Sequence, residues 1–219
     1  MSRVIVKICG LSTAPTLEAA IDAGADMAGF VFFEKSPRHI GLGTAHDLGR
    51  LAAGRIKKVA LTVDAADDAL AVIVEALAPD YLQLHGCESP ARVEAVKARF
   101  GLPVIKAIGV ATKDDARKAA AFAGADIILF DAKPVPGAAL PGGAGVVFDW
   151  RLLRNISATN WMLSGGLSPE NVAEALAATS APGVDVSSGV ESGRGVKDVS
   201  RIKAFVGAAR ALSSPASKV

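Results

Sequence analysis

What most constrains this chain is an alternation that runs from end to end: short β-branched runs take turns with Ala-rich amphipathic stretches. The predicted strands are Val4–Ile8, Met27–Phe33, Ile56–Val63, Tyr81–Leu84, Pro103–Ile108, Ile127–Asp131, Trp161–Ser164 and Val184–Ser187. Between them helices are predicted in segments such as Pro15–Ala23, Asp67–Leu77, Pro90–Phe100, Asp114–Ala123 and Pro169–Ala178. Several open with a hydroxyl residue and then proline: Ser12/Thr13 before Pro15, Ser89 before Pro90, Ser168 before Pro169. The hydroxyl can accept an orphan N–H of the first turn, and the fixed φ of proline already suits that turn. Strands joined through helices run parallel, so the expectation is an α/β protein whose sheet is covered by helices.

A weak internal repeat counts the units. Ala19–Asp26 (AAIDAGAD) is echoed by Ala120–Asp126 (AAFAGAD), and an apolar strand follows each copy. Gly24 and Gly124 lie 100 residues apart and precede the second and sixth strands. Four units in that interval means roughly 25 residues each, so eight fit into the chain of 219 with a short tail. The fold class expected is therefore a single (β/α)8 TIM barrel over residues 1–219, with Ser213–Val219 as a frayed tail. A helix-to-strand turn of common type would also explain the GAD echo. A doubly wound open sheet is the alternative architecture, but the chain has no G-x-G-x-x-G turn.

With 51% hydrophobic residues the chain can build a sizeable core, which excludes disorder. The net charge of +2 comes from acids and bases interleaved along the whole length. No basic stripe suggests nucleic acid or an anionic membrane as partner. Two cysteines, Cys9 and Cys87, cannot make a disulfide framework. The first residues lack the apolar run of a secretory signal. The longest uncharged stretches, Pro134–Phe148 and Asn155–Pro169, are too short and too broken by Gly and Pro to span a bilayer. A cytoplasmic protein in a reducing compartment is expected.

Active sites of (β/α)8 barrels sit at the C-terminal strand ends, and side chains alternate along each strand. Lys7 and Cys9 share a face of strand one, Gln83 and His85 of strand four, Asp185 and Ser187 of strand eight. Lys106 interrupts an otherwise apolar strand five, and Asp131 ends strand six. These residues are read as a catalytic mouth. A nearby ammonium draws a thiol toward thiolate, so Lys7 is expected to make Cys9 a reagent. Taken alone, a cysteine at this position is more often a small buried hydrophobe. Lys106 and Asp185 could instead form an interior ion pair. Cys87, His39 and His46 are assigned to loops as inert or solvated groups, and Cys9, Cys87 and His85 lack the paired spacing of a zinc site.

Two glycine turns carry a separate signal. Ser164-Gly165-Gly166 ends strand seven and Ser187-Ser188-Gly189 ends strand eight. Loops seven and eight are where such barrels often bind phosphate through backbone N–H groups. Gly165, Gly166, Ser187, Ser188 and Gly189 are thus the candidate phosphate contacts, and the partner expected is a small phosphorylated molecule. The glycine-rich Lys133–Gly145 that follows Asp131 is read as a mobile lid.

Together these motifs make the chain resemble the phosphoribosylanthranilate isomerases of tryptophan biosynthesis. The resemblance rests on Lys7-Ile8-Cys9-Gly10, Phe32–Arg38 (FFEKSPR), Leu82–Gly86 (LQLHG), Asp131 with Gly142–Gly145, Phe148-Asp149-Trp150, Leu163–Leu167 (LSGGL) and Gly183–Glu191 (GVDVSSGVE). Two positions depart from it: Ala144 stands where a hydroxyl residue is expected, and Cys87 where an acidic or polar one is. The resemblance implies an Amadori rearrangement of an N-phosphoribosyl aminobenzoate, with Asp131 as general acid and Cys9 as general base. It further implies Arg38 for the aromatic carboxylate, Lys7, His85 and Asp185 as polar substrate contacts, no metal or organic cofactor, and a monomer or homodimer. A histidine-pathway aldose–ketose isomerase would need aspartates where strands one and five end in Cys9 and Ile108. Pentose-phosphate epimerases need more metal-ligating histidines than three, and a tryptophan synthase α-type lyase needs paired carboxylates. A non-catalytic ligand-binding barrel would have no use for both Cys9 and Asp131.

Overall fold

The computed structural model describes residues 3–133, 148–154, 156 and 160–211. Eight parallel strands close on themselves in chain order: β1 (Ile5–Cys9), β2 (Met27–Phe32), β3 (Lys57–Thr62), β4 (Tyr81–Leu84), β5 (Val104–Val110), β6 (Ile127–Ala132), β7 (Trp161–Leu163) and β8 (Gly183–Val186). The β8–β1 seam pairs Lys7 with Asp185 and Ile8 with Val186. The helices are α1 (Ala14–Asp22), α2 (Leu42–Ala52), α3 (Asp67–Leu77), α4 (Pro90–Phe100), α5 (Lys113–Arg117), α6 (Val172–Thr179) and α7 (Val199–Ala211). All eight predicted strands are present with ends shifted by a residue or two, and the closed barrel replaces the open-sheet alternative.

Of the three hydroxyl starts read from the sequence only Ser89 caps its helix: Thr13 precedes α1 with Pro15 in the first turn but makes no side-chain cap bond, and Ser168 lies ahead of a turn, with Asn171 before α6. The Ser89 hydroxyl accepts the Arg92 N–H and Pro90 begins α4. Thr112 and Asp115 form a reciprocal capping box on α5. The predicted Asp114–Ala123 helix is α5 continued by a 3₁₀ turn, Lys118–Phe122. The sixth helix begins at Val172, later than Pro169, because Ser168–Glu170 form a turn capped from inside: the Ser168 N–H donates to Asn171 Oδ1 at 2.8 Å. Helices α2 and α7 were not among the segments picked out from the sequence. Gly43 and Gly49 mask the apolar stripe of α2, and Gly49 is where α2 presses on the Leu77 carbonyl of α3.

Parity sets the layers. Residues of one parity, such as Val6, Ile8, Phe30, Leu82, Val104, Phe130 and Val184, pack outward under the helices in the main core. The other parity fills the barrel: Met27, Val59, Ile105, Ala107, Leu129 and Met162 form a plug, and Cys9, Val31 and Leu61 lie together in a further apolar cluster. At the N-terminal end, the aspartates before β2, β4 and β6 share one device. Asp26, Asp80 and Asp126 accept the backbone N–H of Val6, Lys58 and Val104 at 2.7, 2.8 and 2.8 Å, each clamping the strand before it. The repeated Ala-Asp pairs thus mark structural clamps far from the mouth. Predicted residues Pro134–Gly145 of the lid, and the tail Ser213–Val219, lie outside the described residues.

Candidate active site

Strand β1 delivers Lys7 and Cys9 into the barrel, both buried. Lys7 Nζ donates to Asp185 Oδ1 at 2.7 Å, and Asp185 Oδ2 accepts from the Ser164 hydroxyl at 3.1 Å. Gly29, paired with Cys9 across β1–β2, makes room for this. A Cβ there would stand 3.1 Å from both Cys9 Sγ and Lys7 Nζ, so thiol and ammonium converge over one glycine. Burial works against the Lys7 charge, but the Asp185 carboxylate offsets it and the ammonium is held above its ordinary pKa. For Cys9, burial pushes the thiol up and outweighs the pull of Lys7. The pull of Lys7 toward thiolate is present as expected, but desolvation outweighs it and holds the Cys9 thiol above its ordinary range.

Asp131 is the last residue but one of β6, only 7% exposed. Its Oδ1 accepts the Ala132 N–H at 2.8 Å and its Oδ2 lies 3.3 Å from His85 Nε2. The other ring nitrogen of His85, Nδ1, is 2.9 Å from the side-chain amide nitrogen of Gln83, which is fully buried.

Arg38 is also buried, and the structure supplies a partner that the sequence reading did not name. Its Nε and one Nη fork onto Glu191 at 2.6 and 2.9 Å. Glu191 begins a small hairpin, β9 (Glu191–Gly193) and β10 (Val196–Lys197), and also accepts from Lys197 Nζ at 2.7 Å and the Gly195 N–H at 3.0 Å. Burial opposes its charge, yet the bonds from Arg38 and Lys197 bring the Glu191 carboxyl down to about 2. Burial pushes the Lys197 ammonium below its ordinary range, against the pull of Glu191. Lys197 continues to the Ser187 carbonyl and hydroxyl, and that hydroxyl donates to the Cys9 carbonyl at 3.2 Å. Ser187 therefore ties β8 to β1 with its side chain.

The turn after β7 holds Gly165 and Gly166 at φ of 83° and 65°, the left-handed region that favours glycine. A Cβ on Gly165 would fall 2.5 Å from the Ala132 nitrogen, so the turn nests against the end of β6 beside Asp131. Asn171 fastens it by donating to the Gly166 carbonyl at 2.9 Å. The N–H groups of both glycines have no acceptor among the described residues. Ser188–Val190 make a short 3₁₀ turn where β8 ends, with Gly189 packed against the Leu167 carbonyl.

Lys106 does not belong to this mouth. It shares parity with Val104 and Ile108, so it points outward, where its ammonium bonds Glu88 at 2.6 Å and the Leu84 and Gly86 carbonyls. The suggested Lys106–Asp185 pair is replaced by two separate ones, Lys106–Glu88 and Lys7–Asp185. Cys87, His39 and His46 are exposed as expected, Cys87 and His39 in loops but His46 on helix α2, just after the loop. Glu191, Lys197 and Ser164 carry site geometry to which the sequence reading gave no role. The one available signal was Glu191, a lone acid closing the otherwise uncharged Val186–Val190 turn.

Fold and mouth together define a (β/α)8-barrel enzyme with its ionisable groups gathered at the C-terminal strand ends. The family model described as N-(5'phosphoribosyl)anthranilate (PRA) isomerase matches residues 6–208, and the chain belongs to that family. It is 61% identical over 208 residues to the N-(5'-phosphoribosyl)anthranilate isomerase of Rhodopseudomonas palustris strain BisA53, covering 94% of this chain and 95% of that one. The enzyme of the same name from Beijerinckia indica is 54% identical over 209 residues, 94% of each chain. Among solved structures, the phosphoribosyl anthranilate isomerase of Thermotoga maritima superposes with a TM-score of 0.85 at 33% identity, covering 95% of this chain and 99% of that one. A phosphoribosyl anthranilate isomerase in complex with reduced 1-(o-carboxyphenylamino)-1-deoxyribulose 5-phosphate gives 0.82 at 32% identity, covering 95% and 99%.

Proposed function

We propose that this chain carries out its family's isomerisation, the Amadori rearrangement of N-(5-phosphoribosyl)anthranilate to 1-(2-carboxyphenylamino)-1-deoxyribulose 5-phosphate in tryptophan biosynthesis, with Asp131 as acid and Cys9 as base. The observation that carries the reading is one buried carboxyl and one buried thiol, on β6 and β1 and so on opposite sides of one closed mouth. Asp131 gives its proton to the ribose ring oxygen while the substrate nitrogen's lone pair moves to C1. The ring opens to an aldehyde-level Schiff base. Cys9 then takes the proton from C2, and the enolamine that results tautomerises to the aminoketose, with no atom gained or lost overall. A positioned acid or base contributes roughly 10²–10⁴-fold to such a step. The Cys9 thiol passes its proton to water when the cationic Schiff base joins Lys7 beside it, since opposite charge at a few ångströms favours thiolate, and the thiolate then accepts the C2 proton.

Arg38 and Lys197 face the single carboxylate of Glu191, which leaves one positive charge in excess. That excess, and the guanidinium edge Glu191 leaves free, suit the anthranilate carboxylate. The phosphate sits on the backbone of Gly165, Gly166, Ser188 and Gly189, with Ser187 as support, while Asp185, Lys7 and His85 face the ribose. No helix among the described residues is long and apolar enough to cross a membrane. We read the chain as a cytoplasmic enzyme whose partner is this small phosphorylated substrate, with no nucleic acid or membrane partner.

The test follows the fluorescence of phosphoribosylanthranilate generated in place, with wild type, Asp131→Asn and Cys9→Ser side by side. Rapid loss with wild type alone supports both assignments. Unchanged turnover in Cys9→Ser removes the thiol from the mechanism, and an active Asp131→Asn removes the acid.

A further inference from the structure

We propose that Gln83 is a positioning residue that acts on the acid through His85, holding the imidazole neutral with its proton on Nε2. The inference rests on Asp131 being the acid. Three contacts carry it. The Gln83 amide nitrogen lies 2.9 Å from His85 Nδ1, His85 Nε2 lies 3.3 Å from Asp131 Oδ2, and the Gln83 oxygen is buried with no partner among the described residues. An amide nitrogen can only donate, so Nδ1 must accept and the ring proton must sit on Nε2. Turning the amide over would pair its oxygen with a ring N–H and leave two amide hydrogens unpaired, against one hydrogen and the oxygen as it stands. Buried orphan N–H groups are the rarer arrangement, so the orientation present is the favoured one.

The consequence reaches Asp131. His85 Nε2 stands 3.3 Å from Asp131 Oδ2, outside hydrogen-bond geometry in the free protein, so its N–H is a donor placed beside the carboxylate left after proton transfer. An imidazolium would instead put a full positive charge against the Asp131 carboxyl, and a nearby positive charge favours the charged form of a carboxyl over the acid. A donor aimed at Nδ1 opposes protonation there. The ionisable groups of the surrounding elements are otherwise engaged: Lys7 with Asp185, Arg38 and Lys197 with Glu191, Lys106 with Glu88, and Lys133 with Asp115. Cys9 faces the same interior from β1 as a thiol. Gln83 is thus the neighbour that meets Nδ1 of the ring, and Asp131 the one that faces Nε2.

Two substitutions pull in opposite directions. Gln83→Glu presents an acceptor to Nδ1 and favours imidazolium, whereas Gln83→Met keeps the bulk and removes the bond. Long-range ¹H–¹⁵N spectra of histidine-labelled protein read the tautomer directly, with His85 assigned from its absence in His85→Gln. At neutral pH the wild type should show the Nε2–H tautomer, Gln83→Met a tautomer mixture and Gln83→Glu the doubly protonated ring. For phosphoribosylanthranilate, Gln83→Glu should lower kcat on the order of 10²-fold with KM within about twofold, and Gln83→Met should fall between it and wild type. A wild-type ring protonated on Nδ1, or a Gln83→Glu enzyme with native kcat, overturns the proposal. Melting curves of both variants separate misfolding from a positioning loss, because a merely structural defect moves Tm without setting the tautomer. Asp131→Asn measured beside them keeps the two readings apart. If it is active, the acid assignment falls; if it is dead while Gln83→Glu turns over normally, only the role of Gln83 falls.

Discussion

The residue that best shows competing physics at this site is Cys9. Two influences act on one thiol: the Lys7 ammonium favours thiolate, and the loss of water favours thiol. Burial prevails because Lys7 is already neutralised at 2.7 Å by Asp185. The free protein should therefore resist alkylation at Cys9 near neutral pH, while exposed Cys87 reacts at least about tenfold faster. Iodoacetamide labelling with mass spectrometry checks this, and equal labelling of both cysteines would show that Cys9 is already ionised. The Lys7–Asp185 pair makes a second prediction at this scale. Removing one member of a buried pair strands the other, which costs roughly 3–5 kcal/mol, whereas replacing both by apolar groups costs far less. Asp185→Ala should lose that much in urea unfolding, and the double variant Lys7→Met/Asp185→Leu should recover most of it. A double variant as unstable as the single would mean that the pair is a net stabiliser.

Elements of the chain divide by which end of the barrel they serve. At the mouth, the β9–β10 hairpin contributes little apolar contact and is held by Glu191, whose carboxyl falls from its ordinary 4.5 to about 2. A depressed carboxyl adds stability that is fully present above its unfolded value and is lost as pH falls through the folded one. Acid unfolding should thus weaken the protein by roughly 3 kcal/mol between about pH 4.5 and 2 on account of this group. Glu191→Gln should flatten that part of the stability profile measured by denaturant at stepped pH; an unchanged slope would place the acid sensitivity elsewhere. At the opposite end, Asp126 clamps the first residue of β5 without reaching the mouth. Asp126→Ala should cost about 1–3 kcal/mol by leaving a buried N–H unpaired, with kcat intact. The strands were legible because parity is a local signal, and the repeated tripeptide marked the turns that carry Asp26 and Asp126 without showing that those acids clamp a neighbouring strand. Arg38–Glu191 was not legible, since its members lie 153 residues apart and only closure of the barrel brings them together. Lys106 was misplaced for a related reason: both faces of β5 are apolar, so the strand alone could not say which way an interrupting lysine points.

At the scale of the whole molecule, the barrel is a ring whose last joint unites the two ends of the chain. β8 pairs with β1, and α7 packs on α1 and α6 over that seam. This explains why the fold could be counted from the sequence while its site could be only partly assembled. Eight units imply closure, but the contacts that closure creates, Lys7 with Asp185 and Ser187 with the Cys9 carbonyl, each span 178 residues. The joint has its own fastening at the end away from the chemistry. Arg210 of α7 donates to the Val4 and Gly24 carbonyls and to Asp26, so one guanidinium ties the final helix to the start of β1 and the approach to β2. Charge-assisted bonds of this kind contribute about 1.5–3 kcal/mol when buried, and partial exposure here reduces that toward about 1–2. Arg210→Ala should lower Tm by a few degrees, roughly 2–4 °C for each kcal/mol in a chain of this size. It should leave kcat and KM for phosphoribosylanthranilate unchanged at ordinary temperature, because no contact of Arg210 reaches the strand ends that hold Cys9 and Asp131. A variant that kept its Tm but lost turnover would show that strain at the seam is transmitted along β1 to the thiol, and that the two ends of the barrel are not independent.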